Sequence, residues 1–528
     1  MARLLVQLKL QLLTNALRSS SRARVGFIIS TLFALVLAVG GFIFLAMLRG
    51  NAASVDLAAA VFTVFAFGWL ILPLLAFGLD GTLDPATLAL YPLRTRSLAV
   101  GLLAASVTGA WPVANLIALL GVTIGLAHGA LGVVVAVLAV VLQVLFCIVL
   151  ARFVTTGLAG LLRSRRGRDL GVFLVIPIFA LYETFAQVVP RLASEGKITA
   201  TAFDGVDKWL RWLPPGLAAH AIQDASTGHV GTGLLRLALL AAIVLVLGAL
   251  WIRSLSRAVV AVDTSTQASA VRGRPLPFSR AGIRGTVAGR YLLYQRRDPA
   301  SIMRWCIVAI LMVVTTISTI RTPHYHIGLF ISAVIGGGMV GALNANAVGL
   351  TGPAFGLEAT ALTGARQMRA YFTGRAIALA AIGVPLLLIM SLILTAAAGH
   401  PANWLWVAPV DLGTLGAGLA FSSLFTVSVP YPMQKRVGSP VPTTGDGYGG
   451  QAFAGVLGSL VGVAIATIPL ILAVNFTYSV PAPVRVPVLL VCAAVYGSAL
   501  AWGGAQAAAA TAARTLPELT QIALASKL

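Results

Sequence analysis

Long stretches without charge constrain this chain more than any other feature of its sequence. Many windows of about 20 residues carry almost no charged side chain, and a helix of that length crosses roughly 30 Å of hydrocarbon. Of the 528 residues, 59% are hydrophobic and 10% are charged. The sequence therefore predicts an all-α polytopic membrane protein.

The two halves of the chain repeat one plan, each over about 260 residues. Each half has a basic amphipathic lead-in, two apolar spans, a short loop with acidic residues before basic ones, and four more spans. The loop reads FGLDGTLDPATLALYPLRTRSLAVG over 77–101 and VGLTGPAFGLEATALTGARQMRAYFTGR over 348–375. Parallel six-span repeats build a pore or cavity with two-fold pseudosymmetry, so the duplication points to transport.

The apolar windows predict about twelve transmembrane helices, arranged as two parallel six-helix repeats. The expected spans are 25–48, 57–77, 98–126, 131–161, 171–189 and 234–252, then 305–320, 327–347, 376–398, 410–429, 452–474 and 487–508. We expect a first six-span half over 1–252 and a second over 288–528. The polar segment 253–287 is too short for a domain, so it is interpreted as a basic cytoplasmic linker.

The distribution of basic residues predicts the orientation. With the amino terminus in the cytoplasm, most of the 37 Lys and Arg residues fall on the inner side, as the positive-inside rule requires. The sequence thus predicts a multi-pass membrane protein with both termini cytoplasmic. The net charge of +22 sits in short loops that face anionic lipid headgroups, so lipids are expected partners and nucleic acid is not.

An amphipathic helix is expected to lie in the membrane interface before the first span of each half. The first, LLVQLKLQLLTNALRSSSRAR, has leucines on one face, with Lys9 and Arg18 on the polar side. The second, AGRYLLYQRRDPASIMRW, carries Arg290, Tyr294, Arg296 and Arg297. The alternative is a pair of basic linkers with no shared role.

The loop after the second span of each half is the chief functional candidate. In each loop, acidic residues before basic ones suit the dipole of a short helix. Such a helix at the cytoplasmic end of long spans can receive force from a soluble motor; the alternative is a solvated turn whose charges enforce topology. The candidate residues are Asp80, Asp84, Pro85, Tyr91, Arg94 and Arg96 in the first loop, and Glu358, Arg366 and Arg369 in the second.

Charge inside the spans is scarce. Glu183 and Arg152 are the candidates for an intramembrane polar site, and both positions also suit side chains that reach toward the interface. A nearly uncharged interior favours apolar or amphiphilic cargo that an external energy source moves. The 6 His and 3 Cys residues show no ligand spacing, so no metal site is expected.

The chain resembles a known family in these features. The FGLDGTLDP stretch with its following PL, the LRWLPPG segment and the closing RTLPELTQIAL are similar to a fused, double-length actinobacterial form of the permease subunits of bacterial ABC exporters. The resemblance implies that 80–97 and 358–375 hold coupling helices that dock on a separately encoded ATPase, in two copies. The second loop departs from the family because it lacks the LDP triplet.

The sequence and the resemblance together predict the membrane permease subunit of an ATP-driven exporter, which moves apolar or amphiphilic cargo. No GxxxxGK[ST] phosphate loop occurs in the chain, so it is not expected to be an enzyme. It would need no cofactor of its own, since ATP and Mg would bind the partner ATPase. Two alternatives stay open: a twelve-span secondary carrier of the major facilitator type, and a membrane scaffold or enzyme of envelope assembly.

Overall fold

The computed structural model describes residues 2–19, 21–51, 53–75, 95–161, 211–260, 282–319, 325–362, 364–434, 443–444, 448–477 and 480–526. Contacts between Cα atoms divide the chain into two compact units. Unit 1 comprises Met1–Thr264 with Arg436–Ser439, and unit 2 comprises Ser265–Lys435 with Pro440–Leu528. The described part of each unit is almost entirely helical, as the sequence predicts.

The described helices of unit 1 are, in chain order, α1 (Ala2–Ser19), α2 (Ser21–Ala46), α3 (Ser54–Leu75), α4 (Thr95–Val107), α5 (Ala110–Leu120), α6 (Val122–Gly125), α7 (Gly129–Leu161), α8 (Pro214–Ser226) and α9 (Val230–Val260). Helix α4 meets the α5–α6 segment at a bend of 66°. Pro112 lies in the first turn of α5, where a missing backbone N–H costs no hydrogen bond.

The core of unit 1 surrounds the short helix α8. This helix begins at a Pro-Pro pair, which suits the first turn of a helix, and it packs against α3, α7 and α9. Its residues Ala218, Ala219, Ala221 and Ile222 are fully buried. Because three of these four side chains are alanine, the neighbouring helices approach α8 closely.

The described elements of unit 2 are α10 (Gly282–Arg297), α11 (Pro299–Thr319), α12 (Tyr325–Leu343), α13 (Ala347–Thr351), α14 (Pro353–Ala361), α15 (Ala365–Ala397), a 3₁₀ turn (Pro401–Asn403), α16 (Trp404–Ser428), β1 (Met433–Gln434), β2 (Thr443–Thr444), α17 (Gly449–Phe476) and α18 (Ala482–Ala525). The two strands pair antiparallel, with Met433 opposite Thr444. The predicted linker 253–287 is helical at both ends, because α9 extends to Val260 and α10 begins at Gly282.

Small residues hold the centre of unit 2 together. A Cβ atom added to Gly418 of α16 would lie 2.2 Å from the carbonyl oxygen of Gly337 on α12. One added to Gly416 would lie 2.1 Å from the carbonyl oxygen of Gly497 on α18. Helix backbones approach this closely only where side chains are absent. Gly337 belongs to a run of three glycines, Gly336–Gly338, and its backbone makes this close contact.

Seven of the described helices are long and apolar enough to cross a membrane, and up to nine do so if each bent pair counts as one span. The bent pairs are α4 with α5–α6 and α10 with α11, and α3 and α12 contain shorter apolar segments. The membrane class predicted from the sequence agrees with these helices. The predicted span 171–189 lies outside the described residues, and the number twelve stays a prediction.

Candidate functional site

The second of the two candidate loops folds as two short helices, α13 and α14, between α12 and α15. Helix α14 starts at Pro353, directly after Gly352, whose φ of +58° favours glycine. It ends at Ala361, and α15 begins four residues later at Ala365. Glu358 lies on α14, while Arg366 and Arg369 lie in the first turns of α15.

Helix α14 is anchored to the rest of unit 2 on one face. Phe355 and Ala359 are buried in a cluster with Leu519 and Ala523, near the end of α18. That end is a separate helical segment, because α18 is kinked at Thr515 just before its second internal proline. On the same side of α14, Glu358 forms an ion pair with Arg290 of α10.

The opposite face of α14 is exposed and apolar at its centre. Leu357 is 77% exposed, and Leu524 of α18, whose side chain lies 3.4 Å from the position of a Cβ on Gly356, is 61% exposed. The exposed basic side chains of Arg366 and Arg369 follow α14 along the chain. We refer to Leu357, Leu524, Arg366 and Arg369 as the α14 face. An anchored short helix with an exposed leucine is suited to bind another protein.

A buried arginine forms hydrogen bonds both to the start of this loop and to the helix bundle. Arg375 of α15 is 2% exposed, and its guanidinium donates to the carbonyl oxygen of Asn344 at the end of α12. The same group donates to the hydroxyls of Ser422 (2.7 Å) and Thr426 (3.3 Å) on α16. Three segments of unit 2 are thus connected through one side chain.

A second buried arginine reaches the same end of α12. Arg304 of α11 donates to the carbonyl oxygen of Leu343 at 3.4 Å and to the hydroxyl of Ser301 at 2.5 Å. The carboxylate of Asp298 caps α11 by accepting from the backbone N–H of Ser301 at 2.9 Å, and it lies 3.7 Å from the Arg304 guanidinium. Two guanidinium groups therefore lie at the negative end of the α12 dipole, where positive charge is favourable.

The turn between α12 and α13 is fixed by side-chain amides. The Asn346 carbonyl caps α13 by accepting from the backbone N–H of Gly349 at 3.2 Å, and its amide donates to the carbonyl oxygen of Tyr431 at 2.8 Å. Burial raises the pKa of Tyr431 to about 12, so its phenol is neutral at physiological pH. The turn before α14 thus has little freedom to move independently of α16.

The first candidate loop falls largely outside the described residues, which exclude 76–94 and so Asp80, Asp84, Pro85, Tyr91 and Arg94. Arg96 is described: it lies in the first turn of α4 and is exposed. Glu183 also lies outside the described residues. The proposed coupling role of the first loop stays a prediction.

Helix α1, the first predicted interfacial helix, packs along α4 through Leu5. Lys9, assigned to the polar side from the sequence, is instead buried, and its ammonium group donates to the carbonyl oxygen of Ala105 at 2.7 Å. The leucines of the predicted apolar face, among them Leu4 and Leu8, point away from unit 1. Arg18 is exposed.

Helix α10, the second predicted interfacial helix, packs against α15 and meets α11 at a bend of 76°. Tyr291 is buried, and its hydroxyl lies 3.0 Å from that of Tyr371 on α15. The hydroxyl of Tyr294 donates to the carbonyl oxygen of Leu350 at 3.5 Å, while Arg296 and Arg297 are exposed. A basic, exposed end beside a buried aromatic face suits a helix at a membrane surface.

Arg152, the described member of the predicted intramembrane pair, lies on α7 and is half-buried. Its Nε donates to the hydroxyl of Ser106 on α4 at 3.0 Å. Lys9 contacts the residue before Ser106, so two cations lie around the break between α4 and α5. In this arrangement Arg152 connects helices within unit 1.

Several buried charged residues were given no role from the sequence, among them Arg304, Arg375 and Asp411. Arg375 was expected to end the inner loop, and it is instead buried inside α15. Asp411 of α16 is 1% exposed, whereas the sequence pattern pointed to Glu183 as the intramembrane acid. A signal for Asp411 did exist, because it is the one charged residue in the sequence of α16.

A cavity of about 190 Å³ lies between α16, α17 and α18, lined by Pro409, Pro469, Leu470, Ala473, Val474, Leu489, Cys492, Ala493 and Tyr496. Pockets for drug-sized ligands measure roughly 300–1,000 Å³, so this cavity suits a slender apolar group such as part of an alkyl chain. Within the described ranges, no group of three His, Cys, Asp or Glu side chains converges to hold a metal ion.

Comparison of the chain with protein-family models, with curated proteins and with solved structures finds no match.

Proposed function

We propose that this protein is the membrane permease subunit of an ATP-driven exporter of the ABC type, and that its α14 face docks on a separately encoded ATPase. The observation that carries the proposal is the geometry of α14. One face of this helix is anchored by Phe355 and Ala359, the other exposes Leu357, and two exposed arginines follow in the first turns of the next helix. A partner with an apolar groove and acidic rim would complement it.

Movement of α14 can be transmitted to the other helices of unit 2 through hydrogen bonds and an ion pair. Arg375 joins the end of α12 to α15 and α16, and Arg304 joins it to α11. The ion pair between Glu358 and Arg290 adds α10 to the same connected set. A displacement of α14 by a bound ATPase would therefore be passed to several helices at once, which is what coupling requires.

The connections within unit 1 support a matching role for its first loop. There, Arg152 of α7 bonds Ser106 of α4, the helix that follows the first loop. In unit 2, Arg375 lies on α15, the helix that follows the second loop, and bonds Ser422 of α16. Each unit thus links its third and fourth predicted spans by an arginine–serine bond, with the two residue types exchanged. This correspondence fits the proposed six-plus-six repeat with twelve spans.

The proposed cargo is apolar or amphiphilic, and the proposed site of action is the bacterial cytoplasmic membrane. The support is chemical: the spans are almost uncharged, and the cavity lined by Leu470, Leu489 and Tyr496 is apolar. In the proposed mechanism, two ATPase copies bind ATP and close together. The coupling helices then move, and the two units change their arrangement so that cargo leaves on the outer side.

The test is a pull-down of the tagged full-length chain from its native membrane in mild detergent, with mass spectrometry and an ATPase assay. We expect recovery of a nucleotide-binding ATPase in near-stoichiometric amount. Leu357→Glu should lower that recovery by tenfold or more, since central apolar contacts contribute about 2 kcal/mol or more to binding. Leu357 is exposed, so the variant should still insert and fold.

The matched control is Leu213→Glu, which makes the same change at an exposed leucine before α8, on the opposite side of the membrane in the proposed orientation. Its ATPase recovery should equal that of the wild type. If the wild-type chain purifies without any ATPase at every salt concentration, the exporter proposal is wrong and a secondary carrier becomes the better explanation.

A further inference from the structure

Asp411 is a carboxyl group placed deep within a membrane-spanning helix. It lies about two turns after the start of α16, roughly 10 Å along the helix axis, at the end of unit 2 opposite the α14 face. Its side chain is 1% exposed. Neither of its oxygens receives a hydrogen bond of ordinary geometry from any residue that the structure describes. An ionised carboxylate in such a place would lose its hydration without compensation.

The hydroxyl groups near Asp411 each donate to a backbone carbonyl oxygen. The hydroxyl of Ser391 on α15 lies beside the carboxyl, and its proton is shared between that group and the carbonyl oxygen of Leu388, which is 3.2 Å away. Thr395, one turn further along α15, donates to the carbonyl oxygen of Ser391 at 2.8 Å. Thr414, one turn after Asp411, donates to backbone carbonyls at 3.1 and 3.2 Å. A protonated acid can donate to Ser391 Oγ, and an ionised one cannot.

Of the helices packed against α16, α15, α17 and α18 bring no described cation to Asp411. Helix α12 also packs there, and its titratable residues are Tyr325 and His326 in its first turn, whose side chains lie outside the described ones. Helix α17 has no charged residue, and the charged residue on α16 is Asp411 itself. On α15, Arg375 is directed to Asn344, Ser422 and Thr426. On α18, the guanidinium of Arg485 lies over the Trp406 ring at 3.4 Å, and the hydroxyl of Tyr496 donates to Ala466. Arg366 and Arg369 on α15 and Arg514 and Glu518 on α18 lie at the opposite end, and His400, after α15, is exposed.

We propose that Asp411 is a proton-binding site of unit 2. In the conformation described here the carboxyl carries a proton, and it exchanges that proton with water when α15 and α16 separate at this end. The step is the loss of one proton from the neutral acid to the aqueous phase, and its reversal takes one proton up. Opening of this end is therefore favoured by high pH and opposed by low pH. The proposal does not depend on the ATPase partner.

The protonation state is measured directly by infrared spectroscopy on the purified full-length chain in lipid nanodiscs. We expect a carbonyl band of a protonated carboxylic acid at pH 7 that is absent from Asp411→Asn, an isosteric change that keeps the side chain neutral. The control Asp224→Asn removes a carboxylate that is 3.2 Å from Arg236, and it should leave that band unchanged. If the spectra of wild type and Asp411→Asn show the same acid band at pH 7, the proposal is wrong.

The link between proton and opening is measured by hydrogen exchange of the backbone amides in α15 and α16. The fraction of molecules in which α15 and α16 are separated should rise by up to about tenfold per unit increase in pH, because one proton is released on opening. Hydroxide catalyses amide exchange in both proteins equally, so this effect cancels when the wild type is compared with Asp411→Asn at the same pH. We expect the ratio of wild-type to Asp411→Asn exchange near residues 388–411 to rise with pH. A ratio that stays constant with pH would overturn the proposed link, whatever the ATPase experiment shows.

Discussion

At the scale of single residues, buried cations organise the end of unit 2 that carries the α14 face. Arg375 has no described carboxylate partner and instead donates to a helix-end carbonyl and to two hydroxyls of α16. A guanidinium presents several donors in a rigid plane, so it bridges two helices in a way that an ammonium group cannot. The side chain is fully surrounded, and any substitution leaves Asn344 and Ser422 with fewer partners.

Arg375→Gln should destabilise the protein by about 2–4 kcal/mol, because charge-assisted hydrogen bonds are lost inside the protein. Arg375→Lys should cost about 1–3 kcal/mol, since it keeps the charge and loses the two-helix geometry. Both are measured from the thermal unfolding midpoint in detergent. The control Arg366→Gln, exposed on the same helix, should change stability by at most about 0.5 kcal/mol. Equal effects of the Arg375 and Arg366 variants would contradict the assigned bridge.

At the scale of elements, unit 2 is stabilised by helices whose backbones pack in close contact. Helix α16 lies against both α12 and α18 through glycine contacts, and such packing replaces the hydrophobic effect that is absent between helices in lipid. Two adjacent glycines of α18 differ sharply in how close the neighbouring helix lies. A Cβ on Gly504 would lie 2.5 Å from the Ala420 Cα atom, whereas one on Gly503 would meet no atom within 4 Å.

Gly504→Ala should therefore destabilise the bundle by about 1–3 kcal/mol, because the added methyl group pushes α18 away from α16. Gly503→Ala should leave stability unchanged or raise it by up to about 1 kcal/mol through the higher helix propensity of alanine. Thermal unfolding of the two single variants in the same detergent compares them directly. A loss of stability in Gly503→Ala as large as that in Gly504→Ala would refute the contact.

At the scale of the whole molecule, the distribution of charge predicts the orientation in the membrane. Arg296 and Arg297 extend from the end of α10 and are exposed, whereas Thr227 lies in the turn between α8 and α9 on the side predicted to face outward. Basic residues are retained in the cytoplasm during insertion. The two positions should therefore lie on opposite sides of the membrane.

This orientation is tested by cysteine labelling in a background that lacks Cys147, Cys306 and Cys492. Thr227→Cys should react with a membrane-impermeant maleimide in intact cells, and Arg297→Cys should react only after the cells are permeabilised. The unsubstituted background serves as the control for labelling at other sites. The reverse pattern would place both termini outside and the α14 face out of reach of a cytoplasmic ATPase.

Several features of this protein were determined by its sequence. Apolar windows specify membrane-crossing helices because a lipid environment requires their backbone amides to be paired within the helix. The start of α14 was also readable, since Pro353 follows a glycine and suits a first helical turn. The predicted order of charges along one short helix was wrong, because Glu358 lies in the last turn of α14 and Arg366 and Arg369 lie in the first turns of α15. The exposed basic end of α10 likewise follows from the run of Arg296 and Arg297.

The burial of Lys9, Arg375 and Asp411 was decided by tertiary structure alone. In a membrane protein the residues that face lipid are as apolar as those that face other helices, so hydrophobic periodicity does not indicate which face is buried. A charged residue near a span end looks the same in sequence whether it reaches the interface or binds a neighbouring helix. The difference depends on whether a neighbour such as the Ala105 carbonyl or Ser422 hydroxyl is within reach, and only the packed fold establishes that.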